Sequence, residues 1–249
     1  MGRGRGWLVA AGLLLPLVWI PAVVTTLGEP PAGAPPPGST PGPTVGPGPS
    51  PTPPEPLSPF ALASGVALHL PAESVRGVAF HEASVEGAMT MRPLGRCRPC
   101  RHPRFRAPRS PDGPLRYIVM DPRGRGSAPT SAVDVVVGRR TAVLAPVTGR
   151  VRVSRRYRLY DRHPDRRVAI VPDGTAGIEV VIIHLRGVRL APGDRVIASV
   201  TPLGWARRFP FSSQVDRYVA GDHPHVHIEV VDVEARREAK KRERRRGKG

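Results

Sequence analysis

The stretch His223-Pro224-His225-Val226-His227-Ile228-Glu229-Val230-Val231 ends in the apolar alternation that is typical of a β-strand. Alternate residues of a strand point to the same face, so His225 and His227 are expected to project together, about 6.5–7 Å apart. One imidazole could then bind a metal while the other reaches a substrate, because neutral imidazole is a common zinc ligand. An isolated His-x-His can also be a surface cluster ahead of an ordinary strand, so its interpretation depends on the rest of the chain.

The chain around this stretch contains many short runs that are rich in Val and Ile. Turn-forming residues such as Thr148-Gly149 and Pro192-Gly193-Asp194 separate the runs, and no amphipathic helix interrupts them before Glu234. Such a series predicts an all-β fold, built as a sandwich or a small barrel. The predicted strands cover residues 66–70, 117–120, 133–137, 142–144, 151–153, 168–171, 178–185, 196–200 and 226–233.

The N-terminal segment has the layout of an export signal or a membrane anchor. Residues 7–27 carry no charge and follow Arg3 and Arg5. As a helix this run would span about 30 Å, which is the thickness of one hydrocarbon core. The small residues Ala32-Gly33-Ala34 are followed by Pro35, a poor cleavage junction. The sequence therefore favours a single uncleaved anchor helix, with the rest of the chain outside the cytoplasm; cleavage would make the protein secreted.

Changes in composition divide the remaining chain. Residues 29–59 are almost entirely Pro, Gly, Ala, Ser and Thr, which cannot bury a core, so they predict a semi-rigid or disordered spacer. The predicted organisation is an anchor at residues 1–28, this spacer, an N-terminal extension at 60–115, a core domain at 116–233 and a basic tail at 234–249.

The chain is strongly basic, with 38 Lys and Arg against 20 Asp and Glu and a formal net charge of +18. The tail at residues 234–249 predicts a helix that frays and attracts polyanions through screened electrostatics. Outside the cytoplasm, wall polymers or anionic lipid head groups are suitable partners, whereas the export segment argues against nucleic acid. A solvated tail without any specific partner explains the same charges equally well.

The extension at 60–115 carries both cysteines of the chain, Cys97 and Cys100. In an exported protein this spacing favours a local disulfide that closes a basic loop. A zinc knuckle would need two more ligands, and His102 with His81 could supply them only with an unusual spacing. The extension has no other clear motif, and it could add strands or cover a groove.

Five blocks of the chain together carry a family resemblance. They include Thr130-Ser-Ala-Val-Asp134, the Ala-Pro-Val-Thr-Gly segment that ends at Gly149, the His184-Leu185 pair, the Ala-Pro-Gly-Asp-Arg segment that ends at Arg195, and the His-x-His. In this order they resemble the lysostaphin/LytM-type zinc peptidases, which cut peptide cross-links in bacterial peptidoglycan. The resemblance covers residues 117–233, about half the chain, and implies a LytM-like β-sandwich, or barrel-sandwich hybrid, with a duplicated hybrid motif.

The resemblance also implies roles for individual residues. In that family a His-x-x-x-Asp pair and the second His of His-x-His hold the zinc, which places Asp134 and His227 at ligand positions. The His of the His-Leu strand and the first His of His-x-His act on water and the transition state, which places His184 and His225 at catalytic positions. The first ligand position, however, is Thr130.

This departure predicts zinc that is weakly bound or absent, because a neutral hydroxyl is a poor replacement for imidazole and catalytic zinc normally has three protein ligands. The expected function is then that of a pseudoenzyme that binds peptidoglycan or other anionic wall polymers, or that regulates a wall hydrolase. The alternative is an active zinc metalloendopeptidase with a rearranged ligand set, in which His223 or His81 is the third ligand. The other histidines, His69, His102 and His163, are expected to be ordinary exposed or loop residues.

A second resemblance concerns the hybrid fold alone. Residues 144–151 and 191–196 also look like the barrel-sandwich hybrid of biotinyl and lipoyl carriers, which need a lysine at a hairpin tip. The lysines of this chain are Lys240, Lys241 and Lys248, all in the tail. Carrier function is therefore excluded, while the related fold stays a reasonable expectation.

Overall fold

The computed structural model describes residues 56–98 and 115–247. The described chain is mostly β, with one large mixed sheet, two small sheets and one C-terminal helix. Its elements are β1 (Pro59–Ala63), β2 (Val66–His69), β3 (Val75–His81), β4 (Arg92–Pro93), β5 (Arg96–Cys97), β6 (Arg116–Val119), β7 (Ala132–Val137), β8 (Ala142–Leu144), β9 (Gly149–Leu159), β10 (His163–Pro172), β11 (Ile178–Ile183), β12 (Leu185–Arg186), β13 (Arg195–Val196), β14 (Pro202–Ala206), a 3-10 turn at Gln214–Arg217, β15 (His225–Asp232) and α1 (Val233–Arg246).

The large sheet has nine strands in the order β13-β9-β10-β11-β15-β7-β3-β6-β5. Its strands pair in antiparallel fashion except at β3–β6 and β5–β6, which are parallel. The small sheets have the orders β2-β1-β4 and β12-β14-β8. The sheet centre is therefore built from β11, β15, β7 and β3, which are far apart in sequence.

One face of the large sheet forms the main hydrophobic core together with the two small sheets. The alternate residues Val133, Val135 and Val137 of β7 point into this core, and Phe60 of β1 and Leu203 of β14 belong to the same buried cluster. Every residue of β7 is nonetheless buried, so the sheet is covered on its other face as well.

The other face of the large sheet carries polar side chains, and we call it the groove face. Residues that pair directly across antiparallel strands point to the same side. The register Ala79–Asp134–His227–Ile183–Arg167 therefore runs across five strands in one row of this face. By the same register, the groove face includes His81, Asp165, Tyr157, His225 and Glu229.

The C-terminal helix begins with a side-chain cap. Asp232 accepts hydrogen bonds from the backbone N–H groups of Glu234 and Ala235 at 2.9 and 3.0 Å, which satisfies two of the free donors of the first turn. Three arginines occupy the last turn, where positive charge is favourable. The predicted helical tail is thus a helix in the structure, up to Arg246.

The all-β prediction is confirmed at the level of the fold class, and several strands differ from expectation. The strands β9 and β10 are much longer than the predicted 151–153 and 168–171, because cross-strand pairing extends into their charged residues. The extension at 60–115 does add strands, and β3 lies inside the large sheet. The predicted anchor and Cys100 lie outside the described residues, so the disulfide stays a prediction; within the described part, no helix is long and apolar enough to cross a membrane.

Candidate metal centre and groove

Three buried residues of the groove face come together as a potential metal site: His81, Asp134 and His227. They lie on β3, β7 and β15, three neighbouring strands, and the register pairs Asp134 directly with His227. One ligand atom from each residue lies within 4.8 Å of the others. Side chains on adjacent strands of a sheet are held rigidly, which suits a metal site.

Glu229 orients the imidazole of His227. Glu229 is two residues after His227 on β15 and therefore shares its face; its Oε1 lies 3.0 Å from Nε2 of His227. The other ring nitrogen, Nδ1, lies 2.8 Å from Oδ1 of Asp134. A carboxylate that accepts from one imidazole nitrogen leaves the other nitrogen directed at the site, as in carboxylate–histidine–metal arrangements.

A backbone carbonyl orients His81 in the same way. Nδ1 of His81 donates to the carbonyl oxygen of Glu82 at 2.8 Å, because a carbonyl can only accept. Nε2 is buried and lies 3.1 Å from Oδ1 of Asp134. A buried imidazole nitrogen and a carboxylate oxygen at this distance are suitable ligands for a cation. The group could therefore hold a metal ion.

The charges of the group follow from its burial and contacts. Burial alone would raise the pKa of Asp134, but the adjacent His81 and the hydrogen bond from His227 hold it well below its usual range. Burial would lower the pKa of His227, yet its hydrogen bonds to Asp134 and Glu229 outweigh this effect and raise the pKa to about 9. In the metal-free chain His227 thus carries a proton that metal binding would displace.

The other two candidate ligand residues lie outside this group. His223 is half-buried and precedes β15, and its Nδ1 is buried without a hydrogen bond. Thr130 lies two residues before β7, which begins at Ala132. The hydroxyl of Thr130 donates to the carbonyl oxygen of Met91 at 2.7 Å.

His184 reaches the groove through a bend in its backbone. It lies between β11, in the large sheet, and β12, in a small sheet, and its φ is 69°. The preceding residue, Ile183, already faces the groove, so regular strand geometry would send the next side chain to the core. The left-handed conformation costs free energy in a residue other than glycine, and it returns the ring to the groove.

A buried carboxylate fixes the ring of His184. Oδ2 of Asp165 lies 2.8 Å from Nδ1 of His184 and accepts a hydrogen bond from the hydroxyl of Tyr157 at 2.5 Å. The backbone N–H of Arg166 donates to the other oxygen of Asp165. Burial and the bond to Asp165 raise the pKa of Tyr157, so its phenol stays protonated.

His225 completes the cluster of histidines. Its ring lies edge-on to that of His184, with ring centroids 5.3 Å apart, and His184 lies 5.8 Å from the ring of His227. Burial lowers the pKa of His225 to about 4, so this imidazole is neutral at physiological pH. The sequence-predicted residues Asp134, His184, His225 and His227 are thus all gathered at one site.

These residues line a groove of about 780 Å³. Phe209 and Phe211 stack in one wall, with Phe209 edge-on to His184 at 4.7 Å. The lining also includes Arg125 and Arg123, whose Nη2 lies 3.7 Å from Oδ2 of Asp134. The groove is large enough for a peptide segment. Its polar groups converge on His81, Asp134 and His227, which we call the metal group.

Sequence reasoning missed two carboxylates that position the histidines. Glu229 could have been found, because a residue two positions after His227 on a strand must share its face. Asp165 had no such signal, since it lies among arginines and outside the predicted strands. The register between β10 and β11, which brings Asp165 close to His184, is not visible in the local sequence.

Comparison of this chain with known protein families, with curated proteins and with solved structures finds no match.

Proposed function

We propose that this protein is a zinc metalloendopeptidase that cleaves peptide cross-links of peptidoglycan, with a rearranged set of metal ligands. The observation that carries the proposal is the buried group of His81, Asp134 and His227. Two imidazoles and one carboxylate form a ligand set typical of catalytic zinc, which keeps a fourth position open. His81 would serve as the first zinc ligand, the role that the family resemblance assigns to position 130.

The donor atoms favour zinc over other common ions. Nitrogen and oxygen ligands around tetrahedral zinc are bonded at about 2.0–2.1 Å and therefore lie about 3.3 Å apart. In the metal-free chain Oδ1 of Asp134 contacts His227 Nδ1 at 2.8 Å and His81 Nε2 at 3.1 Å, so these donors would move apart by a few tenths of an ångström to bind the ion. Calcium and magnesium prefer sites made wholly of oxygen ligands, whereas this group contains two imidazole nitrogens.

The remaining groove residues can carry out the proton transfers of peptide hydrolysis. A bound zinc ion would polarise the scissile carbonyl group and lower the pKa of a water molecule. His225 is neutral and can accept a proton from water in the groove. His184 directs Nδ1 toward Asp165, so its Nε2 can exchange a proton with water or, once protonated, donate to the developing oxyanion.

The substrate class and location rest on the sequence. Residues 117–233 resemble LytM-type peptidases, and the groove can accommodate a peptide. The uncharged segment at residues 7–27 would anchor the protein in the cell membrane, with the domain outside the cytoplasm. The Pro-rich spacer would then extend the domain toward the wall, by up to about 3.1 Å per residue.

The proposal predicts metal-dependent release of peptide ends from the wall. Full-length protein purified in detergent is incubated with isolated peptidoglycan, and new amino groups and soluble muropeptides are measured by labelling and mass spectrometry. Release should stop after chelation and return when zinc is added. Protein that contains one equivalent of zinc but releases nothing would contradict the proposal.

Asp165 is expected to act by positioning His184. The Asp165→Asn variant replaces a charge-assisted hydrogen bond worth about 1.5–3 kcal/mol with a neutral one. Turnover should therefore fall roughly 10- to 100-fold, with unchanged zinc content. The matched control is Asp173→Asn, an exposed carboxylate that pairs with Arg195 away from the groove. An equal loss in both variants would argue against a positioning role.

A second candidate function is that of a noncatalytic protein that binds peptidoglycan or regulates a wall hydrolase. The observation that favours it is Thr130, whose hydroxyl bonds to Met91 rather than to the metal group. In that case the protein should sediment with isolated peptidoglycan yet release no peptide ends with any metal.

A further inference from the structure

Two arginines lie on the groove face beyond Ile183, at a place that the proposed chemistry does not use, and two cations of α1 lie near them. Arg155 and Arg167 pair directly across β9 and β10, and Arg167 pairs with Ile183, which pairs with His227. The residues of this row, from Arg155 to His227, therefore point to the same side of the sheet. Since neighbouring strands are about 4.8 Å apart, Arg167 is about 10 Å from His227 along this row.

The C-terminal helix brings two more cations to the pair. Burial lowers the pKa of Arg167 to about 10, and the charges of Arg236 and Arg155 add to this effect. The charge of Arg236 likewise lowers the pKa of Lys240, and Arg155 and Arg167 add to that effect. Arg155 and Lys240 are exposed, whereas Arg167 and Arg236 are half-buried. We call these four residues the basic cluster.

The basic cluster lacks a matching negative charge. Over residues 56–98 and 115–247, no carboxylate accepts a hydrogen bond from any of its four side chains, and Nε of Arg236 is buried without a hydrogen bond. Glu229 is near Arg167, but it is bound to Nε2 of His227. Like charges directly opposite each other on a sheet are destabilising. An anion bound there would relieve this repulsion.

We propose that Arg155, Arg167, Arg236 and Lys240 form a subsite for a carboxylate group of the peptide substrate. The inference rests on the proposed function for the identity of that substrate. Arginine forks bind carboxylates through two parallel hydrogen bonds, and this geometry gives specificity as well as affinity. An extended peptide rises about 3.3 Å per residue, so the recognised carboxylate would lie about three residues from the metal group.

The location favours a peptide carboxylate over a separate polymer. The cluster continues the row of side chains that carries Asp134 and His227, and only Ile183 separates it from the groove. A peptide that lies across the metal group can therefore reach it without leaving the sheet face. The positive charge of the basic cluster would favour peptides with a free carboxylate over amidated ones.

An equilibrium binding experiment tests this subsite without any cleavage. It uses full-length protein from which the metal has been removed. The probes are a fluorescent L-Ala–D-Glu–L-Lys–D-Ala peptide and its analogue with D-Gln and a C-terminal amide, followed by fluorescence anisotropy. We expect the acidic peptide to bind about 10-fold more tightly than the amide. The Arg155→Gln/Arg167→Gln double variant should abolish this preference.

The matched control is Arg156→Gln/Arg158→Gln. It also removes two positive charges, but from the opposite face of β9, and it should keep the full preference. Lys240→Gln, at an exposed position of α1, should lose part of the preference and remains informative if the double variant does not fold. Equal affinity of the wild type for both peptides would overturn the subsite, as would equal losses in test and control variants.

Two further outcomes separate this inference from the function. If poly(glycerol phosphate) binds at the cluster and the acidic peptide does not, the subsite serves a phosphate polymer and the carboxylate proposal is wrong. If the acidic peptide is preferred in an arginine-dependent way but peptidoglycan is never cleaved, the subsite stands and the proposed peptidase activity fails.

Discussion

Replacing His81 by alanine is expected to remove the bound metal. The full-length wild-type protein should contain about one equivalent of zinc by elemental analysis after dialysis, because three donors converge at the site. The His81→Ala variant should bind zinc more than about 100-fold more weakly, since loss of an outer partner alone costs roughly 10- to 100-fold. It should retain its fold, because the main core lies on the opposite face of the sheet.

Two control variants make this prediction specific. His223→Ala removes the other imidazole that the sequence offers as a third ligand, and Thr130→Ala removes the hydroxyl at the ligand position that the LytM resemblance implies. Both should keep the full zinc content, because neither residue belongs to the group of His81, Asp134 and His227. If His81→Ala keeps its zinc and His223→Ala loses it, the third ligand is His223 and not His81. A metal-free wild type would favour the noncatalytic candidate.

The sequence predicted that His225 and His227 share one face because their arrangement is local. Alternation along β15 places His225 and His227 on one face, and the structure brings both to the groove. The sequence alone could not decide whether His81 or His223 is the third ligand. His223 is close to His227 in sequence, whereas His81 becomes its neighbour only because β3 pairs with β7 across some fifty residues.

The strand that carries His81 was also not predicted. Val75-Arg-Gly-Val-Ala-Phe-His81 contains a glycine and an arginine, and it lacks the clean alternation of a half-buried strand. Its last five residues are buried because both faces of the large sheet are covered there. A fully buried strand is hard to recognise from period-two alternation, which describes strands with one solvated face.

The position of His184 depends on a similar nonlocal feature. Residues 178–185 were predicted as one continuous strand, whereas the structure divides them at His184 between the large sheet and a small one. Arg207 of the segment after β14 donates its backbone N–H to the carbonyl oxygen of His184 and helps to hold the bend. The bend is thus set by the pairing of β12 with β14, which the sequence around His184 does not contain.

Replacing His225 by alanine is expected to stop catalysis while leaving the metal in place. His225 lies in the groove next to His184 and His227, but it is not part of the metal group. A positioned general acid or base typically contributes about 10²- to 10⁴-fold. The rate of peptide release from peptidoglycan should therefore fall by that factor in His225→Ala, with zinc content equal to that of the wild type.

The matched control is His69→Ala, which removes an imidazole from β2, in a small sheet away from the groove. It can cost some stability, since Nδ1 of His69 bonds to the carbonyl oxygen of Leu57, but it should keep its rate per folded molecule. Full activity in His225→Ala would exclude the proton-transfer role of that residue. Loss of both zinc and activity in this variant would instead mean that His225 supports the metal group, because a purely catalytic imidazole leaves the three ligands untouched.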